Sequence, residues 1–175
     1  MDLYEVVRTR RSIRSYMTDP IPDEVLSRVL EAVRVAPSGS NRQPWHWILV
    51  KDEEKKQSLA KICNSQMWIA EAPVVIVACG RNLNYNRAGY MGDMSILVDT
   101  SIAFTHLILA ARNEGLGTCW IGAFNNEKVK KIFKVPENWY VVAISPIGYP
   151  KDGEKAFREP SGRKTKEEII STDIF

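Results

Sequence analysis

The sequence predicts one domain of mixed α and β structure, residues 1–175, in which strands lie between helices. Its length and composition suffice for one hydrophobic core, with 45% hydrophobic and 26% charged residues. The run 73–79 is continuously apolar and rich in β-branched residues, which indicates a strand in the centre of a sheet. Amphipathic helical patterns precede this run, and an almost entirely apolar helix follows it.

Two helices are predicted at the start of the chain. Residues 2–9 form a short amphipathic pattern. Pro22, followed by two acidic residues, predicts the start of a second helix, because proline fits the first turn and acids complement the helix dipole. This helix ends before Pro37, and its apolar stripe consists of Val25, Leu26, Val29, Leu30 and Val33.

The longest apolar stretch, 94–111, predicts a helix that is stopped by Gly115 and Gly117. Apolar side chains on nearly every face indicate that this helix is buried on both sides. In so small a chain, such burial suggests packing against the same helix of a second subunit. Asp99 and His106 lie within the stretch and make insertion into a membrane costly.

The remaining predicted elements are short, and their apolar patterns and flanking residues distinguish strands from helices. In chain order they are a strand over 46–51, a charged helix over 53–63, a strand over 118–121, a helix from about Asn125 and a strand over 139–145. The tail 151–175 is charged. It places Thr165 and Glu168 at the spacing of a capping box, which predicts a helix start there.

Several functional classes are disfavoured by the sequence. A net charge of +3 is too small to indicate a nucleic-acid partner. Two histidines without clustered carboxylates make a poor metal site, and dinucleotide fingerprint, P-loop and nucleophile-elbow patterns are missing. Because no side chains form a convincing nucleophile or acid–base pair, we expect a bound cofactor to do the chemistry. Three cysteines without CxxC spacing, and no basic-then-apolar leader, favour a cytoplasmic protein with reduced, buried thiols.

Two polar segments indicate what the cofactor is. The first, Arg10-Arg11-Ser12-Ile13-Arg14, offers guanidinium and hydroxyl groups that suit a phosphate. The second, the loop 37–45, offers small and amide-bearing residues that suit the rim of a flat polar ring. Together they predict a phosphorylated aromatic cofactor. The alternatives are a solvated helix end or a weak nucleic-acid patch for the first segment, and a plain turn for the second.

Five motifs occur in order along the chain: Arg10-Arg11-Ser12-Ile13-Arg14, the loop 37–45, Ala72-Pro73 before the apolar run, the segment 115–122 and Gly162-Arg163-Lys164. They resemble the nitroreductase family of FMN-dependent oxidoreductases, and the resemblance covers residue 3 to about residue 170. It implies an α+β fold with a mainly antiparallel sheet sandwiched by helices. It also implies a homodimer with FMN at the subunit interface, in sites built from both chains.

The resemblance assigns roles to the basic residues of two motifs, Arg10-Arg11-Ser12-Ile13-Arg14 and Gly162-Arg163-Lys164. Arg14 would lie near the N1–O2 edge of the flavin ring, where a cation stabilises the negative charge of the reduced ring. The other matched residues would hold the phosphate and the ribityl chain, and they are Arg10, Arg11, Ser12, Arg163 and Lys164.

A further set of matched residues would surround the flavin ring. The loop residues would reach across from the partner subunit, and Gln66 would contact the pyrimidine edge. The backbone of 120–122 would run past the flavin N5, where Gly122 permits close approach. Core packing is the alternative role of Trp120. The set comprises Pro37, Ser38, Gly39, Asn41, Gln66, Trp120, Ile121 and Gly122.

The implied reaction is ping-pong, with the flavin and not a protein side chain carrying the chemistry. NADH or NADPH would deliver hydride to N5 and leave, and a nitroaromatic, quinone or similar small acceptor would take its place. The alternatives are reductive dehalogenation or flavin breakdown on the same fold, and a non-enzymatic flavin-binding protein. Because the loop 80–92 is shorter than the helical excursion of larger relatives, we expect a more open site, or one covered only by Tyr85, Tyr90 and Met91.

Overall fold

The computed structural model describes residues 1–83, 92 and 94–175. Tyr85, Tyr90 and Met91, the expected cover of the site, lie outside these described residues. The helices in the described part are α1 (Leu3–Thr9), α2 (Asp23–Arg34), α3 (Glu53–Ile62), α4 (Ser95–Asn113) and α5 (Asn126–Phe133). The strands are β1 (Trp45–Val50), β2 (Val74–Gly80), β3 (Gly117–Thr118) and β4 (Tyr140–Gly148), and short 3₁₀ helices cover Gly39–Asn41, Met67–Glu71 and Gly153–Ala156.

The strands form one sheet in the order β1-β2-β4-β3, and each neighbouring pair is antiparallel. β2 is a central strand, as its apolar run predicts, because it pairs with β1 on one side and with β4 on the other. Its side chains alternate between two buried faces. Val74 and Ile76 belong to one hydrophobic cluster, whereas Val75 and Val77 belong to another.

Helices cover both faces of this sheet. On one face, Val29 of α2 and Leu107 of α4 share the cluster of Val74 and Ile76. On the other face, Leu59 of α3 and Val129 of α5 share the cluster of Val75 and Val77. The sheet is therefore sandwiched by helices, which confirms the predicted α+β fold class.

Helix α4 is buried on one face and exposed on the other. Phe104 and Leu107 are fully buried, and this face packs against the sheet and α2. On the opposite face, Leu97 is 47% exposed, and Val98 and Ile102 are each 36% exposed. By length and composition alone α4 could cross a membrane. The all-round apolar pattern thus resolves into a core face and an apolar surface.

The end of α4 is the glycine-dependent stop that the sequence predicts. Gly115 has a φ of +74°, which glycine adopts without steric cost. Its N–H donates to the Arg112 carbonyl at 3.0 Å, and the Leu116 N–H donates to the Ala111 carbonyl at 2.8 Å. These two bonds form a Schellman motif, which satisfies the last carbonyls of the helix.

Two sequence-based predictions need correction. The predicted strand over 118–121 is only Gly117–Thr118, because the chain then leaves the sheet and returns through an isolated bridge between Ile121 and Ile144. At Thr165, the backbone N–H donates to Glu168 Oε2 at 2.8 Å, which is half of a capping box. A single turn follows it instead of a helix, since this exposed tail buries no apolar stripe.

Candidate functional site

The basic segment that follows α1 is extended and is held between two other parts of the chain. On one side, the Ile13 N–H donates to the Thr118 carbonyl at 2.9 Å, which joins the segment to β3. On the other side, the Lys151 N–H donates to the Ser15 carbonyl at 3.2 Å. Two backbone hydrogen bonds therefore hold the C-terminal end of the segment between β3 and the region after β4.

Gly117 allows the basic segment to lie this close to the sheet. A Cβ atom at this position would lie 2.6 Å from Cγ1 of Ile13, well inside van der Waals contact. Any other residue at 117 would push Ile13 away from β3. The glycine in the motif 115–122 is thus a packing requirement of the basic segment.

Side chains of the basic segment and of the C-terminal region line one cleft of about 560 Å³. The cleft contains four of the predicted phosphate-binding residues and Arg14. It also contains two cations that sequence reasoning missed, Lys155 and Arg158, and one acid, Asp152. The predicted residues that line it are Arg10, Arg11, Ser12, Arg14 and Arg163.

Lys164 does not line this cleft, although it follows Arg163 directly. The missed cations lie in the tail, whose high charge was visible in the sequence but whose path was not. No local signal in the sequence could have found them, because their position depends on the burial of Phe157. Phe157 is buried and packs with Ile13 and Tyr16, which brings Arg158 to the cleft.

Arg11 shows that the cleft holds uncompensated positive charge. Its Nη1 donates to the Arg8 and Arg10 carbonyls at the end of α1, whereas its buried Nη2 has no partner among the described residues. Burial lowers the pKa of Arg11, and the neighbouring cations Arg10, Arg163 and Arg158 lower it further, whereas Glu159 acts in the opposite direction. A bound anion would relieve this repulsion.

The donor set fits the phosphate of FMN. Guanidinium groups form paired, charge-assisted hydrogen bonds with phosphate oxygens, and the Ser12 hydroxyl adds a neutral donor. A phosphate carries up to two negative charges, which the surrounding cations can match. The cleft is therefore a candidate site for a phosphorylated ligand.

Tyr16 and Cys119 form the protein interior beside the cleft. The Tyr16 hydroxyl donates to the Ile13 carbonyl at 2.6 Å, and burial raises the pKa of Tyr16 far above its ordinary value. Burial also raises the pKa of Cys119, although Arg14 and a hydrogen bond with Ser12 act in the opposite direction. Both groups stay protonated near neutral pH, so they add no negative charge that would neutralise Arg14.

The polar loop, residues 37–43, has a different construction. Ser40, Asn41 and Gln43 all have φ between 50° and 54°, a left-handed conformation that costs energy for residues other than glycine. The loop holds this shape by its own bonds: the Gln43 N–H donates to Ser38 Oγ at 2.9 Å, and Gln43 Nε2 donates to the Asn41 carbonyl at 3.0 Å.

Asp99 ties the polar loop to α4. Its Oδ1 accepts the Gly39 N–H at 3.1 Å, and its side chain is almost fully buried. None of Pro37, Ser38, Gly39 and Asn41 lines the cleft of the same chain. The structure thus leaves these predicted residues apart from the basic segment within one subunit.

Trp120, Ile121 and Gly122 occupy three different environments. Trp120 is 41% exposed, and its ring meets Phe104 edge-on at a centroid distance of 4.5 Å, so it lies at the surface end of an aromatic cluster. Ile121 is buried and pairs with Ile144 through both its N–H and its carbonyl. Gly122 is exposed, and a Cβ there would meet only Trp120 Nε1 at 3.5 Å. Of the three, Gly122 has room for a ligand against its backbone.

Gln66 forms a hydrogen bond within the turn that follows α3. Its Nε2 donates to the Cys63 carbonyl at 2.9 Å, after Asn64 and Ser65 adopt left-handed φ values of 57° and 56°. It does not line the cationic cleft. The structure therefore gives Gln66 a local hydrogen bond and leaves its predicted flavin contact without support.

Comparisons of the sequence and of the structure with known proteins give consistent matches. The sequence model of the nitroreductase family matches residues 7–98 and 65–149. A protein of Archaeoglobus fulgidus, provisionally named NADH dehydrogenase/NAD(P)H nitroreductase, is 34% identical over 169 residues, with 94% of each chain covered. The FMN reductase (NAD(P)H) of Bacillus subtilis is 33% identical over 169 residues, which is 85% of this chain and 67% of that protein.

A more distant relative and a solved structure extend this result. Iodotyrosine deiodinase 1 of Rattus norvegicus is 27% identical over 203 aligned positions, which cover 98% of this chain and 69% of that protein. The crystal structure of a nitroreductase family protein from Clostridium novyi NT has a TM-score of 0.81 and 34% sequence identity, and 87% of each chain is covered.

Proposed function

The chain belongs to the nitroreductase family of oxidoreductases, and from this premise we propose that it is an FMN-dependent enzyme that transfers hydride from NADH or NADPH to a small acceptor. The acceptor class is a nitroaromatic, a quinone or a similar compound. One observation carries the proposal: Arg10, Arg11 and Arg163 converge on one cleft, and a buried guanidinium N–H of Arg11 has no partner among the described residues.

In this proposal the cleft holds the phosphate end of FMN. Arg10, Arg11 and Arg163 donate to the phosphate oxygens, and Ser12 adds its hydroxyl. Arg14 extends the positive charge of the cleft towards the ring, where it stabilises negative charge. Bound FMN would supply the hydride-transfer chemistry, which the protein side chains lack.

The chain's own residues then orient the ring and admit the substrates. Gly122 leaves its backbone open to close approach, and Trp120 presents an exposed aromatic surface beside it. The hydride donor, NADH or NADPH, and the small acceptor would bind in turn at this same exposed surface, which explains why the sequence needs no separate dinucleotide motif. This is a ping-pong scheme.

We include a homodimer in the proposal, with FMN at the interface. The exposed apolar face of α4, formed by Leu97, Val98 and Ile102, suits contact with a second subunit. The polar loop lies apart from the cleft of its own chain, as expected if it completes the site of the partner. A stable monomer in light scattering would contradict this part. The buried free thiols Cys63, Cys79 and Cys119 agree with a reducing, cytoplasmic location.

The test is spectroscopic and kinetic. Purified protein reconstituted with FMN should be yellow, and NADH or NADPH should bleach it under anaerobic conditions. Addition of a nitroaromatic or a quinone should restore the colour and sustain turnover. Bleaching without reoxidation by any acceptor would favour a flavin-storage role, and failure to retain FMN would contradict the proposal.

Reductive dehalogenation is the second candidate function. The relationship to iodotyrosine deiodinase 1 of Rattus norvegicus is the observation that favours it. A halogenated phenol in the same acceptor screen distinguishes the two functions. Halide release that is faster than nitroaromatic or quinone reduction would favour dehalogenation.

A further inference from the structure

Arg112, near the end of α4, is a buried cation that makes three separate contacts. Its Nε donates to Thr9 Oγ1 at 3.1 Å, and its Nη2 lies 3.3 Å from Glu154 Oε2. The centre of its guanidinium lies 3.9 Å from the centroid of the Phe157 ring, in a cation–π arrangement. The residue is only 3% exposed. It therefore joins α4 to the end of α1 and to the region after β4.

Each contact of Arg112 is with a residue that directly precedes a cation of the cleft. Thr9 precedes Arg10, Glu154 precedes Lys155, and Phe157 precedes Arg158. The Thr9 hydroxyl is itself fixed, because it donates to the Glu5 carbonyl at 2.7 Å. One side chain thus fixes the backbone positions from which three cleft cations extend.

Stability alone does not account for Arg112. Its buried Nη1 has no hydrogen-bond partner among the described residues, which costs free energy. The Glu154 side chain is 73% exposed, so water weakens the ion pair. An apolar side chain could pack on Phe157 without either penalty.

We propose that Arg112 is a positioning residue for the cationic cleft. It holds the segments of Arg10, Lys155 and Arg158 at the spacing that a phosphate requires. It acts through Thr9, Glu154 and Phe157 and does not itself contact the ligand. The inference deepens the proposed function, on which its choice of FMN as ligand rests.

The experiment compares two ligands that differ only in the phosphate. Dissociation constants of FMN and riboflavin are measured by fluorescence for wild type, Arg112→Met and Arg28→Met. Arg28 is the control, because it is an arginine that binds Glu114 at the end of the same helix, at 2.7 and 3.0 Å, and it does not line the cleft. Arg112→Met should weaken FMN binding about tenfold or more, which corresponds to the loss of roughly one charge-assisted hydrogen bond to the phosphate. Its riboflavin affinity and both affinities of Arg28→Met should stay within about twofold of wild type.

Two milder variants keep the test decisive if Arg112→Met does not fold. Arg112→Lys retains the charge but loses the fork that reaches Thr9 and Glu154 together, so FMN binding should again fall selectively. Thr9→Val removes the acceptor of Nε, together with the hydroxyl's own bond to the Glu5 carbonyl, in a side chain of equal shape. About a two- to fivefold selective loss is expected. Equal loss of FMN and riboflavin, or no loss, would overturn the proposal.

Inorganic pyrophosphate separates this inference from the proposed function. Wild type that binds pyrophosphate but not FMN contradicts the proposed function, and selective loss of pyrophosphate binding in Arg112→Met still supports the positioning role. Wild type that binds neither ligand overturns both ideas.

Discussion

The cationic cleft and the polar loop are both polar, surface-accessible regions, but they are built in opposite ways. The cleft gathers six cations and one acid, and a buried N–H of Arg11 lacks a partner within the described residues. The polar loop, residues 37–43, satisfies its groups by hydrogen bonds between Ser38, Asn41 and Gln43 and by the carboxylate of Asp99. A bound anion would balance the charge of the first region, whereas the second already holds its shape.

The difference indicates what the cleft and the loop each contribute to the proposed binding site. Charge in the cleft supplies affinity for an anion, since an anion that binds relieves the mutual repulsion among Arg10, Arg11 and Arg163. The loop supplies a preorganised edge, and its left-handed residues store conformational strain that the hydrogen bonds offset. Substitutions in the cleft should therefore change the affinity for an anion, whereas substitutions in the loop should change the free energy of unfolding.

The largest expected effect comes from removing two cleft cations. The double variant Arg10→Ala/Arg163→Ala should lose FMN affinity by about a hundredfold or more, because each lost charge-assisted contact costs on the order of 1.5–3 kcal/mol. Equilibrium dialysis with FMN measures it. The control, Arg28→Ala/Arg34→Ala, removes the same charge from the exposed surface of α2 and should retain FMN. Flavin retained by the first variant would contradict the assigned phosphate clamp.

The second prediction concerns the link between the loop and α4. Asp99→Ala leaves the Gly39 N–H without its carboxylate acceptor, so the free energy of unfolding should fall by about 1–3 kcal/mol. Urea denaturation measures the loss, and hydrogen exchange at Gly39 should accelerate. Asp99→Asn keeps an acceptor oxygen and should lose less. If pyrophosphate binding fell as much as stability did, the two regions would not be independent.

A smaller effect of opposite sign is expected at Ser40. Its φ of 50° suits glycine, so Ser40→Gly should relieve strain and raise the free energy of unfolding by about 0.5–1 kcal/mol, after the entropy of the added glycine is included. Ser38→Gly is the matched control. It has an extended φ of −145° and loses the acceptor of the Gln43 N–H, so it should be destabilising. Destabilisation by Ser40→Gly would show that the loop is not strained.

The smallest effect concerns the ion pair of Arg28 and Glu114. Here the cation has its counter-charge beside it, in contrast to the cations of the cleft. The hydrogen bond from Arg28 lowers the pKa of Glu114 below its ordinary value. The pair therefore stabilises the protein above the ordinary glutamate pKa, and this contribution disappears as the pH falls through the lowered one. The urea midpoints of wild type and Arg28→Met should differ slightly at pH 7 and converge as the pH falls below the lowered pKa of Glu114. A difference that grew towards acid pH would contradict this assignment.

The sequence was sufficient for the elements and for part of the cleft. The alternation of apolar runs predicted α2, β2 and α4, and Arg10 to Arg14 with Arg163 proved to share one cleft. Sequence could not reveal Lys155 and Arg158, because their position depends on Phe157 packing against Ile13, a contact across more than a hundred residues. It could not identify Arg112 either, since nothing local distinguishes a buried arginine from an exposed one.

The amino-acid sequence alone was enough for the fold class and for the order of the main elements, and it predicts a cation-rich site. Periodicity, glycine stops and clustered arginines are local properties, and local physics determines what they can form. Only the tertiary structure decided which charges meet, which face of α4 stays exposed and how Gly117 admits Ile13. These outcomes depend on close packing between distant segments, which no local pattern encodes.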